Sequence, residues 1–142
     1  MSRSVPLSFW IVAVLGLLWN LYGVAMFWLN LTITPEAISA LPEAEREITR
    51  AMPRWIMLPF GVATLGGVAG MLAMLLRRRV AVPLLLVSLL ALVVQFVAVY
   101  LTTPVWALTG ASGAVLPLVL WGVVALALWL YARRASARGW LR

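Results

Sequence analysis

The 142-residue chain is 65% hydrophobic and only 11% charged, carries a net charge of +7, and contains neither histidine nor cysteine. A water-soluble domain averages about 45–50% apolar and about 25% charged residues, so this composition leaves too little polar surface to cover a globule in water and fits a bilayer instead. Missing cysteine and histidine exclude disulfides, thiol catalysis, thiolate or imidazole metal sites and imidazole acid–base chemistry near neutral pH.

The first apolar stretch, Leu7 to Leu31, has no charge and reaches about 37 Å as a helix, enough to span with some tilt. Secretory h-regions are shorter, about 7–15 residues, and end in a small-x-small cleavage site. This run ends in Phe27-Trp28-Leu29-Asn30-Leu31 and reads as a retained helix.

Residues 34–52 read as an amphipathic helical segment. Thr34 can cap, Pro35 suits the first helical position and Glu36 complements the helix dipole. A second start follows at Pro42-Glu43, after which Ile38, Leu41, Ile48 and Met52 fall roughly on one side. Such a segment would lie on the membrane–water interface; an ordinary helical linker is the alternative.

The second span runs from Trp55 to Leu76 and stops at Arg77-Arg78-Arg79. The third follows at once, from Val80 to Leu101, and after a short Gly-rich connection (Thr102 to Gly113) the fourth covers Ala114 to Tyr131 and stops at Arg133-Arg134. None contains Asp, Glu, Lys, Arg or His, and continuous apolar runs without alternation exclude strands. Pro83 and Pro117 fall in or near first turns, whereas Pro59 lies further in and is expected to bend its span. The fold class is an all-α integral membrane protein, a four-transmembrane-helix bundle in one domain with a short amphipathic region between helices 1 and 2.

Arginine distribution sets the expected orientation. One side gathers Arg3, Arg77, Arg78, Arg79, Arg133, Arg134, Arg138 and Arg142 with no acid; the other holds Arg46, Arg50 and Arg54 against Glu36, Glu43, Glu45 and Glu47. The basic side, with both termini, is expected in the cytoplasm of a bacterium, across its inner membrane. The positive charge is thus a topology signal, not a nucleic-acid footprint. Trp28, Trp55 and Trp106 near one boundary and Trp10 and Trp129 near the other match an aromatic belt.

Polar groups retained within spans are where function concentrates in membrane proteins. Asn20 and Gln95 lie at similar distances from the starts of their spans, an expected match in depth, with Trp19 and Tyr22 flanking Asn20. Two readings stay open. The amides join helices, or they line a small polar cavity for an uncharged solute on which Trp19, Tyr22 or Trp121 stacks. In the second span Gly66-x-x-x-Gly70, with Gly67, matches the small-residue packing motif, its partner being another span or a second copy. No intramembrane acid or lysine marks a proton or ion relay, and no nucleophile–base pair, phosphate loop or metal cluster appears.

Leu18-Trp19-Asn20-Leu21 with Gly23, Leu41-Pro42-Glu43-Ala44, Pro53-x-Trp55, Gly66-Gly67, Gly70, Leu75-Leu76-Arg77-Arg78 and Val87-Ser88-Leu89 together resemble a family of small bacterial four-span inner-membrane proteins often labelled "sugar transporter". The resemblance covers about the first two-thirds of the chain and implies a small neutral solute. Half-size sugar exporters carry three spans and a Pro-Gln dipeptide, neither of which this chain has.

The expected function is a non-enzymatic structural or accessory membrane component without cofactor, acting through contacts with a membrane-protein partner or itself as a homo-oligomer. The alternative is a facilitator or transporter subunit for a small neutral solute, working as an oligomer.

Overall fold

Hydrocarbon offers no partner to a backbone N–H or C=O, so a continuous apolar run must pair these groups within itself, as a helix. The computed structural model describes residues 4–142, so Arg3, assigned above to the basic side, lies outside the described residues. In chain order the helices are α1 (Leu7–Leu31), α2 (Pro35–Ser39), α3 (Glu43–Ala51), α4 (Met57–Leu75), α5 (Ala81–Thr102) and α6 (Val105–Ala137), with a 3-10 turn at Arg54–Ile56 leading into α4. There is no strand among the described residues. The four long helices are each apolar enough to cross a membrane, and the chain is an all-α, multi-pass membrane protein.

Helix ends follow local chemistry. The Thr34 side chain accepts from the Ala37 amide at 3.2 Å, with Pro35 at the first helical position of α2. At the close of α4, Arg77 takes a left-handed conformation (φ 57), and the Arg78 amide returns to the Ala73 carbonyl at 2.8 Å, the arrangement of a Schellman stop. Gly139 (φ 77) does the same for α6, with the Trp140 amide on the Ala135 carbonyl at 3.0 Å. These two returns send the chain ends towards each other. The Arg79 amide donates to the Arg142 carbonyl and the Arg142 amide to the Arg77 carbonyl, both at 2.7 Å, while Arg77 Nε donates to the Trp140 carbonyl at 2.9 Å.

Three sequence expectations need correction. The stretch 102–113 is not a loop: α6 begins at Val105, directly after Pro104, and the fourth span extends well beyond 114–131. Its glycines mark a break instead. Gly110 has φ 69 and ψ −170, a region essentially closed to residues with a Cβ, and it separates a one-turn outer piece from the main shaft. Below the break, the Tyr100 hydroxyl donates to the Ala114 carbonyl, tying α6 to α5. Pro117 consequently lies inside α6, not near its start. Pro59, conversely, falls in the first turn of α4, where a missing N–H costs nothing.

In the bundle α1 packs on α4, α4 on α5 and α5 on α6. Glycines permit the close approaches. A Cβ at Gly70 would stand 2.7 Å from Leu85 Cγ on α5, and one at Gly61 3.0 Å from the Phe27 ring on α1. Between α1 and α6 the contact runs instead through long side chains: Phe9 with Tyr131 (ring centroids 6.4 Å), Trp19 with Trp121 (4.5 Å) and Leu128 against Gly16. The arginine-rich end is filled by a core in which Phe9, Met71, Met74 and Leu141 are fully buried.

Candidate functional site: an amide and aromatic cavity

The opposite half of the bundle is hollow. A partly open cavity of about 290 Å³ lies between α1, α4, α5 and α6, lined by Tyr22, Met26, Asn30, Thr64, Gln95, Phe96 and Trp121, among others. Beneath it, sharing Gly23, Thr64, Leu92 and Trp121, lies a smaller space of about 40 Å³ that Trp19, Asn20 and Ser88 also border. That is room for a water molecule or two. Towards the glutamate-bearing end, Asn30 borders two further spaces of about 220 and 320 Å³ beneath α2 and α3. Ile38, Met52, Leu41 and Ile48 line these, so the apolar side of the amphipathic segment is turned inward over the mouth of the bundle.

Each polar group reaches the cavity in a defined state. Asn20 Nδ2 donates to the Gly16 carbonyl one turn back at 2.8 Å. Its Oδ1 lies so close to Gly67 that a Cβ there would overlap it. Thr64 donates to the Phe60 carbonyl at 3.0 Å and Asn30 Nδ2 to the Met26 carbonyl at 2.8 Å. Ser88 Oγ donates across to the Ala63 carbonyl, a bond between α5 and α4. A donor spent on its own helix leaves the oxygen's remaining lone pairs for a guest. Gln95 is half-buried and finds no hydrogen-bond partner among the described residues, leaving a whole amide, two donors and an acceptor, facing the cavity.

The aromatic wall is continuous. Trp19 and Trp121 pack at 4.5 Å, and the Tyr22 ring stacks on Trp121 with an interplanar angle of 9° at 6.0 Å. No Asp, Glu, Lys or Arg borders the two inner spaces; Glu45 and Arg54 appear only at the mouth.

The structure distributes the sequence-selected residues over adjoining spaces. Trp19 and Asn20 border the inner one, Tyr22 and Gln95 the outer, and Trp121 both. The expected match in depth between Asn20 and Gln95 fails. Asn20 is level with Gly67 and Ser88, seven residues and about 10 Å before Gln95 along α5. The reason is register: α1 starts further out at the arginine end, where Phe9 packs on Trp140 at 6.0 Å. Neither amide bonds to the other; Asn20 bonds within its own helix. Gly66 and Gly70 face α5, while Gly67 meets Asn20 of α1 and Ser88 of α5. Arg77, Arg78, Arg79, Arg133 and Arg134 gather at one end, since residues 140–142, just past α6, bond to the turn holding the first three.

Asn30 and Thr64 stand, with Ser88 and Tyr100, among the polar residues that the sequence retains within its spans, but only Asn20 and Gln95 were singled out for a cavity. The first two lie at helical spacing from selected residues, Asn30 eight residues after Tyr22 and Thr64 three before Gly67, and that spacing was the available signal. Compared with known proteins, the chain matches no family model, no curated protein and no solved structure.

Proposed function

We propose that this chain is a non-enzymatic inner-membrane protein that binds a small, uncharged, polar solute in the cavity of its bundle, admitted from the glutamate-bearing side. Gln95 carries the reading. Its half-buried amide has no partner among the described residues and is available to a guest, and it faces a space of about 290 Å³, near the lower size limit of small-molecule pockets, about 300 Å³. Neutral walls disfavour ions, because a charge moved into such a site would lose its hydration without a counter-charge. Aromatic faces beside amides suit the apolar faces and hydroxyls of a sugar or polyol. The arginine excess favours placing the closed end in the cytoplasm, so the mouth opens outward.

Titration of the purified protein with neutral hexoses and polyols should change tryptophan emission saturably, through Trp19 and Trp121. Gln95→Leu should abolish that change while preserving helicity. An emission unaffected by every compound, in protein shown to be folded, removes the proposal. Orientation is tested by single cysteines in this cysteine-free chain: Glu45→Cys should label from outside and Arg78→Cys only from the cytoplasm.

A second reading, an accessory role through helix contacts, is favoured by α6. Only 6% of its apolar window is buried within the chain, against 44% for the second span. Cross-linking through cysteines on that face, with the cavity variant still cross-linking, would separate this role from solute binding.

A further inference from the structure

At the arginine-rich end, a recess of about 220 Å³ opens between the start of α1 and the end of α6, lined by Ser8, Tyr131, Arg134, Arg138 and Trp140. Its chemistry is one-sided. Arg134 and Arg138 stand one turn apart and so project from the same face of α6, and all four acids of the chain lie at sequence positions 36–47, at the other end. Arg138 is held over the Trp140 ring at 5.4 Å, an attraction that pre-orients its guanidinium. The Arg134 side chain has no partner among the described residues. The Tyr131 hydroxyl is buried with no hydrogen-bond partner among the described residues. An unpaired hydroxyl on a residue that lines the same recess as two guanidinium groups suits a negatively charged acceptor.

The surroundings indicate what carries that charge. Away from the recess, Leu15 and Tyr22 follow Ser8 on α1 at intervals of seven residues, and Ala127 and Leu120 precede Arg134 on α6 at the same intervals. All four are exposed. Seven residues are two helical turns, so each set forms one stripe, and the two stripes border the seam where α1 and α6 meet only through side chains. The resulting apolar groove runs about 21 Å from the recess, more than the roughly 15 Å of hydrocarbon in one leaflet.

We propose that this recess and groove bind one anionic phospholipid, its phosphate held by Arg134, Arg138, Ser8 and Tyr131 and one acyl chain lying along the α1–α6 seam. Basic recesses between membrane helices are suited to such head groups, and the paired guanidinium groups match the phosphate oxygens. The lipid fills the seam behind the Trp19–Tyr22–Trp121 wall.

Native mass spectrometry of the full chain in detergent, with phosphatidylglycerol, phosphatidylcholine or glycerol 3-phosphate added, tests this. Phosphatidylglycerol should be retained preferentially, as a single tightly held molecule. Arg134→Gln and Arg138→Gln should each reduce its retention about fivefold. Arg133→Gln removes the same charge next door, from a guanidinium stacked on Trp129 at 5.0 Å, and should leave retention unchanged. Tyr131→Phe guards against misfolding. It should fold at least as well as the parent, because it deletes an unpaired hydroxyl, yet gain less thermal stability from phosphatidylglycerol. Equal loss in Arg133→Gln would show diffuse surface attraction and overturn the site. So would equal retention of phosphatidylcholine, or glycerol 3-phosphate stabilising as well as the lipid, which would identify a free-phosphate site.

Discussion

Substituting alanine at two neighbouring glycines of α4 should have opposite results, because one methyl has space and the other does not. At Gly66 a Cβ would meet Ser88 Cβ at 3.6 Å and the Leu84 carbonyl at 3.8 Å, ordinary contact distances. At Gly67 it would overlap Asn20 Oδ1 and stand 2.7 Å from Asn20 Cγ. Asn20 cannot simply swing away, since its amide nitrogen is engaged with the Gly16 carbonyl at 2.8 Å, and Gly16 is itself buried with Met71 and Leu128 against it. Overpacking of this kind costs about 1–3 kcal/mol. The helix-propensity gain of alanine over glycine, about 1 kcal/mol, is common to both variants and cancels between them. Gly67→Ala should therefore unfold more readily than Gly66→Ala by about 1–3 kcal/mol, followed by circular dichroism as dodecyl sulfate replaces mild detergent. Adding Asn20→Ala to Gly67→Ala should recover most of the loss, a coupling that only contact produces. Equal stability of the two single variants, or no recovery in the double, would refute the placement of Asn20 against α4.

Two further substitutions probe the ends of the bundle. Gly110→Ala meets no atom within 4 Å, so its cost is backbone strain alone, about 1–3 kcal/mol; a melting temperature equal to the parent's would show that the break in α6 is not populated. Leu141→Ala empties a fully buried position in the core at the arginine-rich end and should cost about 2–5 kcal/mol. Hydrogen exchange at the Arg79 amide, which bonds to the Arg142 carbonyl, should accelerate with it, whereas amides in the middle of α5 should not.

How much of this was legible beforehand depended on the range of the interaction. Span positions follow from uncharged runs bounded by arginine, a property of the chain and its solvent, and the Thr34 cap from a side chain three residues from its partner. The α6 break was hidden because Gly110 and Gly113 with polar neighbours look the same in a loop as at a kink; what decides is the Tyr100 bond to Ala114 and the helix starting at Val105, directly after Pro104. Asn20 was recognisable as costly, but not its neighbour. Which residue stands opposite depends on how far α1 slides past α5, and nothing local to either helix encodes that. Gln95 and Asn30 became part of one space only through that same register.

The closed end of the bundle bears on membrane energetics. A membrane stores work as voltage and ion gradients, and a continuous wet file through a protein would dissipate them. Here the hollow ends against Phe9, Met71, Met74 and Leu141, a dry plug several side chains deep, stitched on its far side by reciprocal backbone bonds between residues 77–79 and 142. In this conformation the bundle is a cul-de-sac. On the proposed reading, a solute in the cavity would exchange with one compartment only, and the plug would keep it from the other.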